Sequence, residues 1–229
     1  MDKCRKVLYS MDTTLHGSEA FPMSKLFSVE SPLYQALLKI SLVLWMNILW
    51  LVGCLPILTI GASTTAYFRM LFNIRQDKEA TFRTFCRAFA SNFRQATALW
   101  LLELVAAAAV IALGWMTLAV GSDWIRLGLM ALFLVVLFAF AFVFVFAGPL
   151  IAYFDNTLSG TVKNALAMGI RHYHQSIPAL ALTILPVLFL VFFPYWFLLY
   201  FPAVITFGTS AVAYGIMLLM EKIFDQYAR

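Results

Sequence analysis

Glu103 is an acid set inside a long apolar stretch, where a carboxyl can hold a proton or a ligand. Counted from Gln95 as helix, it lies about 12 Å into the membrane. A second reading pairs its charge with Arg69 or Arg94 near the inner boundary. Asn47, flanked by Trp45 and Trp50, offers either a contact to a substrate or a hydrogen bond between helices. Thr59, Ser63, Thr64 and Thr65 surround Gly61, and such a hydroxyl cluster suits a polar pathway or close helix packing. The candidate intramembrane polar site is therefore Asn47, Thr59, Gly61, Ser63, Thr65, Arg69 and Glu103.

Other reactive residues stand in poor company. His172 and His174 are two apart, so on a helix they diverge, and neither has a Cys or Asp cluster beside it. Cys4, Cys54 and Cys86 lack the paired spacing of a disulfide frame, zinc site or redox couple. Leu51-Val52-Gly53-Cys54 fits a bacterial lipoprotein cleavage box, yet Leu55-Pro56-Ile57-Leu58 prolongs the apolar run behind it, so it reads as coincidence. Asp155 and Asn156 are placed to cap a following helix. No Ser-His-Asp arrangement, phosphate-cradling glycine loop or zinc motif occurs in the sequence. The expectation is a protein that is not an enzyme and uses no metal or cofactor.

The elements that must carry these residues follow from composition. The chain is 63% hydrophobic and only 12% charged, whereas a soluble domain is nearer a quarter charged. No charged residue stands between Lys39 and Arg69, between Arg126 and Asp155, or from Gln175 to Met220. A helix crosses the roughly 30 Å hydrocarbon core in about 20 residues. These runs exclude a water-soluble globular enzyme and predict an all-α, polytopic membrane helix bundle, with the lipid bilayer as its first partner. The net charge of +5 gathers beside the apolar runs. That is an orienting pattern, and it predicts no nucleic-acid partner.

The last run would measure about 69 Å as one helix. Pro194-Tyr195-Trp196 and Pro202 divide it into spans near 177–194 and 202–220. Two further spans fall near 98–120 and 125–153, joined by Gly121-Ser122-Asp123. The span holding Glu103 still inserts: its aliphatic side chains supply about −3 to −6 kcal/mol against about 2.5–3.5 for a central acid. The first run is either one long helix or two short ones hinged at Pro56, and charge placement decides. Two spans, near 34–55 and 57–74, leave every Lys and Arg except Arg126 on the inner side. One span exports Lys3, Arg5, Lys6, Lys25 and Lys39. Six spans with both termini cytoplasmic is the expected topology. The domains are then a cytoplasmic extension over 1–33, without the apolar core of a signal peptide, a six-span membrane domain over 34–220, and a cytoplasmic tail over 221–229. The hydroxyl-rich second span, whose Arg69 snorkels toward headgroups, is expected inside the bundle.

Between spans, Phe82, Phe85, Cys86, Phe89 and Phe93 form a helical apolar stripe, with Arg83, Arg87 and Arg94 elsewhere on the helix near 79–94. Phe82, Arg83, Phe85, Arg87, Phe89, Phe93, Arg94 and Gln95 make a candidate partner or lipid surface. The phenylalanines would lie in the interface with arginines on anionic headgroups, or the stripe would fill a partner's groove. Eighty residues on, Val162, Ala165, Leu166, Gly169 and Tyr173 hold the same positions, and Gln95 maps onto Gln175. Ala66-Tyr67-Phe68 is echoed by Ala152-Tyr153-Phe154. A unit of span, inner-face amphipathic helix and span is thus expected twice, near 57–119 and 125–194, in one membrane orientation.

Asn47-Ile48-Leu49-Trp50, then Leu55-Pro56-Ile57-Leu58-Thr59-Ile60-Gly61 and Ala66, resembles the opening of the YesL-like family of bacterial integral membrane proteins. Phe85, Phe89 and Asn92-Phe93-Arg94-Gln95-Ala96 before Trp100-Leu101 is similar to its next signature. The resemblance covers about residues 23–101. Family members often carry Gly-Pro where this chain has Gly61-Ala62, and they commonly begin near Met23, which makes residues 1–22 an extension or a misassigned start. The resemblance implies a domain of unknown function in a bacterial plasma membrane. Its genes typically lie beside ABC-type sugar importers and carbohydrate-degrading enzymes.

Three functions compete. The first is an accessory subunit binding the permease helices of an ABC-type carbohydrate importer. The second is a small-solute or lipid transporter using the polar second span and Glu103. The third is a membrane scaffold or sensor.

Overall fold

The computed structural model describes residues 32–154 and 156–227, all of whose regular structure is helical. The expected N-terminal extension lies outside the described residues, as does Asp155. The helices are α1 (Pro32–Gly53), α2 (Ile60–Arg75), α3 (Phe82–Ala119), α4 (Asp123–Tyr153), α5 (Leu158–Arg171), α6 (Tyr173–Phe192), α7 (Pro194–Ala203) and α8 (Thr209–Tyr227). A 3₁₀ turn, Ile57–Thr59, precedes α2, and a π-helical turn, Val204–Gly208, joins α7 to α8. The chain divides into two compact units, Met1–Ser41 and Leu42–Arg229. In the first, the described residues are the opening turns of α1, where the Ser41 hydroxyl donates to the Leu38 carbonyl. All that follows concerns the second.

Five helical segments are long and apolar enough to cross a membrane: Leu33–Gly53, Phe82–Ala119, Asp123–Tyr153, Tyr173–Phe192 and Leu198–Tyr227. The protein is a multi-pass membrane protein, and its surroundings are lipid. The break at Pro56 is present, since proline has no N–H and cannot continue α1. The chain reverses there. The Ser63 hydroxyl donates to the Trp50 carbonyl at 2.8 Å, and Trp50 Nε1 donates to Thr64 Oγ1 at 3.1 Å. Yet α2 has 16 residues, about 24 Å, and does not by itself match the hydrocarbon thickness.

The expected amphipathic helix is not a separate element. It is the first part of α3, a 38-residue helix that starts on a Thr81/Thr84 capping box and meets no proline. The helix following α4 is capped by Thr157, whose hydroxyl accepts from the Gly160 N–H, and not by the expected Asn156. Pro194 ends α6 as expected and opens α7. Pro202 does not divide the chain: the helix absorbs it, and the π turn follows directly. A proline that removes an i→i−4 bond is commonly accommodated by such a local widening.

The core gathers on α2, ten of whose residues are buried, Ser63 and Thr65 among them. It packs against α3, α4 and α8. At one end Phe72, Tyr153, Phe154 and Phe224 interlock, with Tyr153 at 5.0 Å from Phe72 and 5.2 Å from Phe224 between ring centroids. Rings at such spacing add to the packing beyond their buried area.

Candidate functional site

At its first turn α2 almost touches α3. A Cβ on Gly61 would meet the Ala96 carbonyl oxygen and lie 2.7 Å from Trp100 Cβ. Only glycine permits that approach. Above it the helices enclose a cavity of about 600 Å³ that also reaches α4, α6, the π turn and α8. Its walls are mainly apolar, and Gly61, Thr65 and Glu103 from the expected polar set line it.

Glu103 is 8% exposed and faces this space. Among the described residues no hydrogen bond or ion pair engages it. The expected partners are elsewhere: Arg69 donates to the Ala152 carbonyl at 2.7 Å, and Arg94 lies exposed on α3. A buried carboxyl without a partner costs stability unless something in the cavity meets it. The Tyr67 hydroxyl, also of the cavity wall, is buried, with the Ser210 and Asn47 side chains beside it. Behind it Asn47 Nδ2 donates to Thr209 Oγ1 at 3.0 Å, while Asn47 Oδ1 is unsatisfied. Asn47 therefore makes the interhelical bond and stands next to a wall residue, Thr209, without lining the cavity itself.

Three members of the expected set serve other purposes. Thr59 donates to the Gly53 carbonyl and Ser63 to that of Trp50, so both tie the α1–α2 turn. Arg69 leaves the set and lines a second, polar recess. Sequence reasoning missed Thr183, Pro186 and Thr209, wall residues contributed by α6 and α8. No local pattern marks them, because helices distant in sequence bring them there. Tyr67 was visible only as part of the repeated Ala-Tyr-Phe triplet.

The candidate surface on α3 is split by the packing. Phe85 is 5% exposed and sits in the core, and Phe89 packs against it. Phe82 and Phe93 remain open, at 60% and 40%. Arg83 and Arg87 are exposed, while Gln95 Nε2 donates to the Asn156 carbonyl at 2.6 Å. His172 faces the Tyr227 hydroxyl at 3.0 Å.

A family model described as a protein of unknown function, DUF624, matches residues 43–121. The matched region contains α2 and α3, which carry Gly61, Thr65, Arg69 and Glu103. No curated protein and no solved structure matches the chain.

Proposed function

We propose that this protein is a membrane carrier for a small amphiphile, whose apolar body fills the cavity and whose cationic or hydrogen-bonding head meets Glu103. The unpartnered Glu103 carboxyl on the cavity wall carries this reading. A large apolar pocket with a few convergent polar groups is the usual form of a ligand site. The probe that tests it is dodecylamine, titrated into the protein in lipid nanodiscs while tryptophan emission is followed, since Trp50 and Trp100 line the cavity. Saturable quenching is expected, weakened about tenfold or more in Glu103→Gln, as the loss of a charge-assisted bond requires. Equal affinity in Glu103→Gln refutes a role for this carboxyl.

The topology that goes with this reading is bacterial plasma membrane with both described ends cytoplasmic and Arg75 through Arg94 inside. It modifies the six-crossing expectation at one point: α1 and α2 form a re-entrant hairpin. Trp100 Nε1 donates to the Ile57 carbonyl at 2.9 Å, which ties the hairpin's tip to α3. From Trp100, α3 continues to Ala119, about 29 Å further. The tip from Leu55 to Leu58 is apolar, with Leu55 80% exposed, as suits lipid and not water. Part of its backbone is paired internally: Cys54 N–H donates to Trp50, Leu55 to Val52 and Thr59 to Pro56. Internal pairing of this kind lowers the cost of placing backbone polar groups in lipid. A cysteine at Leu55→Cys should resist an impermeant maleimide added outside intact cells; rapid labelling there restores six crossings.

A second reading, an accessory subunit of an ABC-type carbohydrate importer, is supported by the resemblance to the YesL-like family and by exposed Phe82 and Phe93. Its test is detergent co-purification with an importer's permease subunits. Phe82→Ser with Phe93→Ser should weaken capture, whereas Phe85→Ser damages the core and tests nothing about docking. A protein that purifies alone after crosslinking in membranes counts against it.

A further inference from the structure

We propose that the recess between Arg69 of α2 and Arg87 of α3 is a binding site for a phosphate group. It encloses about 320 Å³, and it borders the end of α4 at Ile151 and Ala152. This recess is separate from the Glu103 cavity and does not depend on the carrier reading.

The chemistry of the lining selects an anion. Arg69 and Arg87 line it from neighbouring helices, and among the described residues no carboxylate lines it. Two like charges lining one recess favour an anion between them. Arg87 has no ion-pair or hydrogen-bond partner among the described residues. Arg69 is held by its bond to the Ala152 carbonyl at 2.7 Å, which leaves its other N–H groups open. The guanidinium fork matches the spacing of phosphate oxygens, so the pair offers several charge-assisted bonds to one group.

The neutral lining is held in place as well. Asn73 Nδ2 donates to the Glu79 carbonyl at 2.9 Å, and Asn92 Nδ2 and the Ser91 hydroxyl both donate to Ala88. Side chains fixed before a ligand arrives lose little freedom when it binds. Basic pockets between membrane helices on the inner side are where anionic lipid headgroups collect. A phosphate ester of such a lipid and free phosphate share this chemistry.

The test is thermal unfolding of the full chain in neutral detergent, read by tryptophan emission. The probes are dioctanoyl phosphatidylglycerol, dioctanoyl phosphatidylcholine, and sodium phosphate against sodium chloride of equal ionic strength. A saturable rise in melting temperature with the anionic lipid alone assigns a lipid headgroup; a rise with phosphate as well assigns the free ion. In either case Arg87→Gln raises the half-saturating concentration about tenfold, as loss of a charge-assisted contact requires. Arg69→Gln does the same, while Lys163→Gln, an exposed charge on α5, changes nothing. No saturable shift with either anionic probe, or an unchanged midpoint in Arg87→Gln, overturns the proposal.

Discussion

The two ends of α2 face the same helix, α3, and make opposite sites. At the first turn, Gly61 lets the backbones touch, and the space beyond is walled by apolar side chains with one acid. At the last turns, Arg69 and Asn73 face Arg87, Ser91 and Asn92 across a polar recess. The difference is one of side-chain size and type along a single helix pair. Small residues bring backbones together and squeeze water out. Long cationic ones line a polar recess that suits an anion. Sixteen residues thus carry an apolar site with one acid at one end and a polar, basic recess at the other.

The contrast can be broken most forcefully at the contact itself. Gly61→Val drives side-chain atoms into the Ala96 carbonyl and Trp100. We expect a loss of about 1–3 kcal/mol from overpacking, seen as a lower melting temperature in detergent. Wild-type melting would mean that the helices do not touch there.

Glu103→Leu sharpens the contrast in the other direction. It removes an unpartnered buried carboxyl and should stabilise the empty protein by about 1–3 kcal/mol, while abolishing dodecylamine binding. A destabilised, binding-competent Glu103→Leu protein would show that the acid has a structural partner.

The smallest effect is expected at the far end of α2. Arg75 Nε lies 3.2 Å from Glu221 Oε2, but the arginine is half exposed. Arg75→Gln should cost about 0–1 kcal/mol, and less as salt is raised. A large loss in unfolding experiments would mean that this ion pair is shielded from solvent.

Much of the fold was legible because lipid imposes simple rules. Uncharged runs marked the apolar helices, Pro56 and Pro194 marked breaks, and the hydroxyl-rich stretch after Pro56 marked a helix inside the bundle. Of the five stripe positions compared at the offset of eighty, Phe85 and Ala165 are both buried, while Phe82, Cys86, Phe93 and Tyr173 are exposed. The two segments also differ in their helices. The first runs unbroken in α3, whereas the second breaks at His172 between α5 and α6. There Gly169 lies against Phe142, where a Cβ would come within 2.8 Å of the ring.

The candidate site was legible only in part. Glu103, Gly61 and Thr65 were identified, because an acid or a small polar residue in an apolar run is conspicuous. Arg69 was misread as a partner for Glu103, since distance along the sequence says nothing about which carbonyl a long side chain will reach. Phe85 was assigned to an outer stripe because periodicity gives the spacing of a face and not its direction.

The amino-acid order alone determined the helical class, the membrane setting, the hinge at Pro56 and the presence of an intramembrane acid. These depend on local rules: peptide polarity must be satisfied within a segment in lipid, and proline removes a donor. Only the tertiary structure decided that Glu103 stands unpartnered on a cavity and that Arg69 joins Arg87. It also placed Thr183 and Thr209 beside α2. Those facts depend on which helix faces pack together, and packing is a property of pairs of helices that no single stretch of chain contains.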